Sequence, residues 1–322
     1  MKHSGEEPQL FGKKYPRADV LKKLIRYLLE RRINTLTRAH ASSRRQLAVF
    51  SFDYISTQII LDGLYEVDEL DLFTQWLYSL KNKSIFDGVA VDVGANIGNH
   101  SLYFSDHFGA VHAFEPHPLT YKLLSLNSEM VGNVKCYNYG LSSLEGAAEL
   151  VLDGRNMSGA RVANKGDGQS IGIHLKTLDA AMDEADGKPI RLLKIDVEGH
   201  ESDVLMGAKV TIKKHLPIIL FEQHPADFAN GTSRAIELIR SYGYKDFAYI
   251  EKFPRVPSHL PRALWPIVLM IKRLFGGSSR RLVGTHTFKP NFYPFIVAIP
   301  AWLNVRTSVG HQRSWISGAG IG

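Results

Sequence analysis

The chain has 322 residues, of which 44% are hydrophobic and 22% charged, a balance that suits one well-cored globular domain with additions. Its net charge is +7, and much of the excess sits in the pairs Lys22-Lys23, Arg31-Arg32, Arg44-Arg45, Lys272-Arg273 and Arg280-Arg281. Such pairs read first as solvated surface, with anionic lipid or an acidic substrate as the other partners. Cys136 is the sole cysteine, which excludes disulfides within the chain and thiolate metal sites. No basic module with interleaved aromatics supports nucleic-acid recognition.

Residues 1–17 are polar, contain Pro8 and Pro16, and are expected to be a flexible N-terminus. Leu21, Leu24, Ile25, Leu28, Leu29, Ile33 and Leu36 then recur at helical spacing with basic residues between them. Such a helix packs on its own domain or a partner subunit, or lies on a membrane surface. Asp68 to Leu80 predicts a second helix, and residues 18–80 together form a helical lead-in.

From Val89 the pattern alternates as in a doubly wound sheet. Strands are expected near 89–94, 110–115, 134–140, 191–196 and 218–223. Helices are expected near 98–107, 118–131, 176–185, 200–214 and 231–242. Ala148 to Val162 reads as an inserted hairpin, and Gly166-Asp167-Gly168 as a turn or loop. Residues near 246–251 and 292–299 predict a closing antiparallel pair at the sheet edge. Cys136, in the apolar run Val134 to Tyr139, reads as a buried, inert thiol. The core is placed at 81–255 and a C-terminal portion at 256–322. Within that portion Leu260 to Phe275 is apolar, broken by Pro266 and followed by basic residues. It reads as a lid or subunit contact, or as an amphipathic element in a headgroup layer. No apolar stretch reaches membrane-spanning length and no secretory core is evident, so a cytoplasmic protein is expected, with peripheral contact on the membrane's cytoplasmic face left open.

The run Val89 to His100 carries the most chemistry. It is a strand that breaks at Gly94-Ala95-Asn96-Ile97-Gly98 and feeds a helix, and a second strand follows that ends at Glu115-Pro116. A carboxylate about 20 residues beyond a glycine turn is the layout of a nucleotide-type site on a parallel sheet. Asn96 stands where a dinucleotide fingerprint needs glycine, which disfavours a nicotinamide-dependent oxidoreductase, and no Lys-Ser/Thr completes a P-loop. A ligand with adenosine and ribose but no phosphate suits these residues, and S-adenosylmethionine is the common one. An ordinary strand–turn–helix connection is the plainer alternative.

A third block, Lys194-Ile195-Asp196-Val197-Glu198-Gly199-His200-Glu201, follows the same scheme of strand, acids and helix start. Together with Val91 to Gly98 and Phe114-Glu115-Pro116, it resembles the FkbM family of S-adenosylmethionine-dependent methyltransferases. Asp53 to Ile59 and Gly63-Leu64-Tyr65-Glu66 are similar to that family's lead-in, and the resemblance covers roughly residues 50 to 250. It implies an α/β fold: a Rossmann-like, mostly parallel methyltransferase sheet with an antiparallel edge hairpin and N-terminal helices. It also implies O-methylation of a hydroxyl, with glycans, polyketides and other hydroxylated molecules as acceptors.

Position along the strands then assigns roles. Gly94, Ala95, Asn96 and Gly98 bring main chain to the methionine portion of the cofactor, and Asp92 orients that turn or accepts from the ammonium. Glu115 offers paired acceptors to the ribose hydroxyls. Leu141 and Ser142 lie where the adenine edge belongs, and Glu66 lines the same cavity or is a surface acid. Lys194, Asp196 and Glu198 share a face if extension continues through them. Asp196 is the first choice for general base, Glu198 a second that could instead bond the Gly199 turn, and Lys194 a buried partner for a carboxylate. His224, after Glu222 and Gln223, titrates suitably for proton removal, whereas His200 reads as an exposed cap neighbour. No metal is assigned. The expected acceptor is a saccharide hydroxyl, and a homo-oligomer is left open. The other readings are a polyketide-like small-molecule methyltransferase and a non-catalytic cofactor-binding scaffold at a membrane surface.

Overall fold

The computed structural model describes residues 20–41, 46–51, 53–153, 156–163, 170–183, 187–253, 261, 264 and 279–305. The expectations for 1–17 and for Gly166-Asp167-Gly168, and nearly all of those for 260–275, lie outside these residues.

Three helices precede the sheet. α1 (Val20–Ala41) is exposed along nearly its whole described length. α2 (Tyr54–Asp62) begins where the Asp53 carboxylate accepts from the Ser56 amide at 3.0 Å and stops at Gly63. α3 (Val67–Ser79) buries Leu70, Phe73, Trp76 and Leu77 on one stripe.

The core then alternates. β1 (Val89–Val93) leads to α4 (Asn99–Ser105), and β2 (Ala110–Phe114) to α5 (Pro118–Ser128). α5 starts where His117 Nδ1 accepts from the Leu119 and Thr120 amides, with Pro118 at the position that needs no amide. β3 (Val134–Tyr137) and β4 (Gly140–Leu141) precede the hairpin β5 (Gly146–Asp153) and β6 (Asn156–Ala163). β7 (Ser170–Lys176) joins them, giving a separate four-stranded sheet in the order β4-β7-β5-β6. The hairpin matches the sequence pattern; β7 was not anticipated, although Ile171, Ile173 and Leu175 alternate with Gly172 and His174 along it.

α6 (Leu178–Asp183) and β8 (Ile190–Ile195) follow. Two short helices, α7 (Glu201–Gly207) and α8 (Lys209–His215), replace the single one expected over 200–214. The break has a steric companion: a Cβ on Gly207 would stand 1.9 Å from the Ser142 carbonyl oxygen. β9 (Ile218–Gln223), the small ladder β10 (Phe228–Ala229) and β11 (Thr232–Ser233), and α9 (Arg234–Ser241) come next. The chain closes with β12 (Asp246–Phe253), β13 (Ser279–Thr285) and β14 (Tyr293–Ile299).

The main sheet runs β13-β12-β14-β9-β8-β1-β2-β3, with β3 through β9 parallel and β14, β12 and β13 antiparallel. Alternation along the strands divides the core in two. Val91, Leu193, Ile219, Phe221, Ile296 and Ala298 pack on one face with Val204, Leu205, Ile212 and Ile236. Ala90, Leu192, Ile218, Leu220 and Val297 pack on the other with Leu70, Phe73, Tyr103 and Phe104. Cys136 is partly buried rather than enclosed, and its thiol donates to Ser128 Oγ at 3.2 Å.

Candidate active site

Strand order reverses between β1 and β8, where open α/β sheets bind ligands beyond the carboxyl ends of their strands. A cavity of about 180 Å³ opens there, far more than the ~10–15 Å³ one water needs. Gly94, Ala95, Asn96, Glu115, Leu141 and Glu66 line it.

The turn after β1 requires its glycine. Gly94 has φ 76°, and a Cβ there would lie 1.8 Å from the Asp196 carbonyl oxygen. Asn96, at φ 51°, donates its amide to Glu115 Oε2 at 3.0 Å, and the His117 amide donates to Oε1 at 2.9 Å. Each carboxylate oxygen thus spends one acceptor position on main chain and keeps one for a ligand. Burial pushes Glu115 up to about 7, against the pull of those two amides.

Asp92 and Lys194 are registered neighbours across β1 and β8, and their charges lie 3.1 Å apart. Asp92 is fully buried, accepts from Ser101 Oγ at 2.6 Å and does not line the cavity. Of the two roles expected of it, orienting the turn is the one this geometry serves, since Asp92 holds the lysine that reaches the Gly94 carbonyl. Alternation turns position 92 toward α4 instead of the opening. Lys194 Nζ also reaches Asp196 at 3.2 Å and the Gly94 carbonyl at 3.4 Å, tying the two strand tips together. Burial works to lower the Lys194 pKa, but Asp92 and Asp196 overcome it and hold it above its ordinary value. Gly98 caps α4 and Ser142 is buried with its hydroxyl 2.9 Å from His200 Nε2; neither lines the cavity. His200 is accordingly a half-buried lining residue, not an exposed cap neighbour.

On the other side stand Asp196, Glu198 and Glu222. β8 ends at Ile195 and Glu198 has φ 50°, so the alternation expected to align Lys194, Asp196 and Glu198 is broken. Glu201, not Glu198, accepts from the Gly199 amide, at 3.1 Å. Burial and the adjacent Asp196 push Glu222 up to about 10, so at neutral pH it carries the proton of its hydrogen bond to Asp196. Burial opposes ionisation of Asp196 as well, but Lys194 and His100 hold it below the ordinary carboxylate range. His224 is not a lining residue; its Nε2 lies 3.2 Å from Glu222 and 3.9 Å from Glu198 at the rim.

Sequence reasoning passed over Tyr65 and His100 and gave Glu222 no role of its own. The Asn99 side chain exchanges two 3.0 Å hydrogen bonds with the Tyr65 backbone, which carries the lead-in to the cavity. There Glu66 lies 3.4 Å from His100 Nε2. Glycine followed by asparagine at the helix start was the available signal.

This sheet order, with a glycine turn facing an acid across the switch point, defines a Rossmann-like methyltransferase fold. Within that class, residues 92–245 match the model of the methyltransferase FkbM domain, just under half of the chain. Among similar proteins, methyltransferase sdnD of Sordaria araneosa is 33% identical over 172 residues, 42% of this chain and 66% of that protein. The hexuronic acid methyltransferase AglP of Haloferax volcanii is 36% identical over 123 residues, 38% of this chain and 50% of that protein. The chain thus matches less than two thirds of either relative's length. A solved FkbM methyltransferase from Methylobacillus flagellatus KT aligns at 18% identity and TM-score 0.33, covering 74% of this chain and 58% of that one. The cofactor of the domain is S-adenosylmethionine. The cavity fits it: the two acceptor positions left on Glu115 equal the two hydroxyls of a ribose, and Leu141 and Leu175 provide apolar wall.

Proposed function

We propose that this chain is an S-adenosylmethionine-dependent O-methyltransferase whose acceptor is a hydroxyl of a sugar or glycan. The observation that carries the reading is one cavity lined by the Gly94 turn, by Glu115 and by the carboxyls Asp196 and Glu222. When bound, the cofactor supplies a methyl carbon made electrophilic by its sulfonium. Glu115 holds the ribose diol, and the main chain of Gly94 to Asn96 lies against the methionine portion. Asp196, ionised beside Lys194, orients the acceptor hydroxyl and accepts its proton. Glu222 donates to Asp196 and fixes which oxygen faces the acceptor. Glu198 and His224 act at the rim. The name of the Haloferax volcanii relative supports a saccharide acceptor, and that of the Sordaria araneosa relative leaves a small-molecule acceptor as the alternative.

The test combines calorimetry against S-adenosylmethionine and NAD with transfer of labelled methyl to glycan fractions. Binding of S-adenosylmethionine and label on a glycan hydroxyl support the proposal; binding of NAD alone would end it. Asp196→Asn keeps cofactor affinity and lowers turnover, whereas full activity in that variant removes Asp196 from the chemistry.

Helix α1 bears on where this reaction occurs. Leu24, Ile25, Leu28 and Leu29 are 47–57% exposed on one side of the helix, Lys23 and Arg26 stand on the other, and Lys22 lies at the border between them. We infer peripheral attachment to an anionic lipid surface, the occupant that matches an apolar face with basic flanks. No helix among the described residues is long and apolar enough to cross a membrane.

A further inference from the structure

The sheet order fixes how a nucleoside lies across the cleft. Glu115 follows β2 on one side of the Gly94 turn, while Asp196 and Glu222, at the ends of β8 and β9, lie on the other. On that second side Glu66 and His100 also line the cavity, and the His100 ring centroid is 5.9 Å from that of Phe295 in β14. A cofactor whose ribose is held by Glu115 therefore extends its amino-acid end past the turn, toward Glu66 and His100. That end carries an ammonium, and Asp92 is closed off from the cavity. Asp196 is engaged by Lys194 and Glu222, and Glu222 carries a proton. Glu66 is built differently. It has φ 56°, a left-handed conformation that a residue other than glycine holds only at a cost. It stands at the start of α3, yet its side chain does not cap that helix and lines the cavity instead. The Tyr65 backbone just before it is fixed by the two Asn99 hydrogen bonds. Among the described residues the Glu66 carboxylate has one polar side-chain contact, His100, whose Nε2 lies 3.4 Å from Oε2. His100 is 5% exposed, and its Nε2 is buried with no hydrogen-bond partner. Tyr65, Phe104 and Phe295 wall the imidazole at centroid distances of 6.5, 6.3 and 5.9 Å.

We propose that Glu66 is the acceptor for the cofactor's ammonium, and that His100 is the positioning residue that holds its carboxylate for that contact. The inference rests on the S-adenosylmethionine reading of the cleft and assigns the amino-acid end of that ligand. Contact of Oε2 with His100 leaves Oε1 to the ligand, since each oxygen of an ionised carboxylate accepts independently. An ammonium on that oxygen makes a charge-assisted hydrogen bond, and the Glu66 side chain is only 14% exposed, so water screens the pair little. A carboxylate held beforehand by a ring that is itself packed on three sides loses little freedom when the ligand arrives. The Glu66 charge is already felt nearby. After burial it is the largest cause holding the Tyr65 phenol above its ordinary pKa. An ammonium beside Glu66 offsets that field.

The full chain is titrated at neutral pH with S-adenosylhomocysteine and with its deaminated analogue, which keeps the nucleoside, thioether and carboxylate but lacks the ammonium. S-adenosylhomocysteine binds at least about tenfold more tightly, as one charge-assisted hydrogen bond requires. Glu66→Gln lowers its affinity, leaves that of the analogue unchanged, and so closes the gap. His100→Phe keeps a ring among the three aromatic neighbours. It narrows the gap part of the way and has no effect when added to Glu66→Gln, because it acts through that carboxylate. Equal affinity of the native chain for the two ligands, or an equal loss for both in Glu66→Gln, overturns the ammonium assignment and leaves the cofactor reading standing. A gap unmoved by His100→Phe, or an effect that adds in full to that of Glu66→Gln, overturns the positioning role. Failure of the native chain to bind S-adenosylhomocysteine overturns the cofactor reading itself.

Discussion

Glu115 accepts two main-chain hydrogen bonds yet is buried enough that its pKa is pushed up to about 7 from an ordinary 4.5. Below that value the carboxyl is protonated and loses an acceptor position, so affinity for S-adenosylmethionine falls as pH falls through about 7. Glu115→Gln weakens binding by about 1–3 kcal/mol and flattens this dependence, both measurable by calorimetry across pH. Stability runs in the opposite sense to affinity. The folded chain retains a proton that the unfolded chain releases above 4.5, so without ligand its stability falls as pH rises from 4.5 to about 7. Glu222 acts with the same sign up to about 10, and Glu222→Gln makes the melting temperature fall less steeply over that range. Lys194 poses the complementary case. Lys194→Met leaves Asp92 buried against no cation and costs about 3–5 kcal/mol in thermal or urea unfolding. The acids at the strand tips could be picked out along the chain, and Lys194 read correctly as a carboxylate's partner. That Asp92 is one of its carboxylates depends on the register of β1 against β8, which no local pattern encodes. His224 drew notice for its intrinsic pKa, whereas Glu222 acquires its proton from burial and a neighbour contributed by another strand.

The turn between β1 and α4 is the element with least tolerance. Gly94→Ala places a methyl against the Asp196 carbonyl and strains a positive φ, so it costs more than about 2 kcal/mol and abolishes cofactor binding. Thermal unfolding and calorimetry read the two effects separately; an alanine variant with native stability and affinity contradicts the geometry. The parallel strands were visible as apolar runs closed by acids because both of their faces are buried. β13 was not, because Arg280 and Arg281 interrupt its pattern. Read from sequence as a solvated pair, these arginines are ion-paired: Arg281 contacts Glu251 at 2.7 and 2.9 Å, and Arg280 contacts Glu69 at 2.8 Å and also Asp68. Charge on an outermost strand discourages further strand addition, so the pattern is a property of the edge. α2 had its signals in place, Asp53 before it and Gly63 after it, but Ile59 and Ile60 gave no clean amphipathic stripe.

For the molecule as a whole, α1 offers the most direct prediction. Replacing Lys22, Lys23 and Arg26 together by Glu reduces sedimentation with vesicles containing phosphatidylglycerol and leaves cofactor affinity unchanged. Equal binding to vesicles of phosphatidylcholine alone, or a dimer that dissociates when Leu24 and Leu28 become polar, contradicts attachment through charge. The sheet's overall winding followed from strand order, whereas the second sheet did not, because β4 has only two residues and β7, although Ile171, Ile173 and Leu175 alternate in it, carries a glycine inside the run. The Asn99 hydrogen bonds to Tyr65 also bear on how the protein can be divided. Residues 92–245 hold the family's motifs, but Tyr65, Glu66 and Ile55 come from before that segment and β14, wedged between β9 and β12, from after it. A fragment trimmed to the recognisable segment would keep the glycine turn and the acids at the strand tips yet lose the lead-in, a wall of its binding site and a central slat of its sheet. The smallest autonomous unit is larger than the smallest identifiable one.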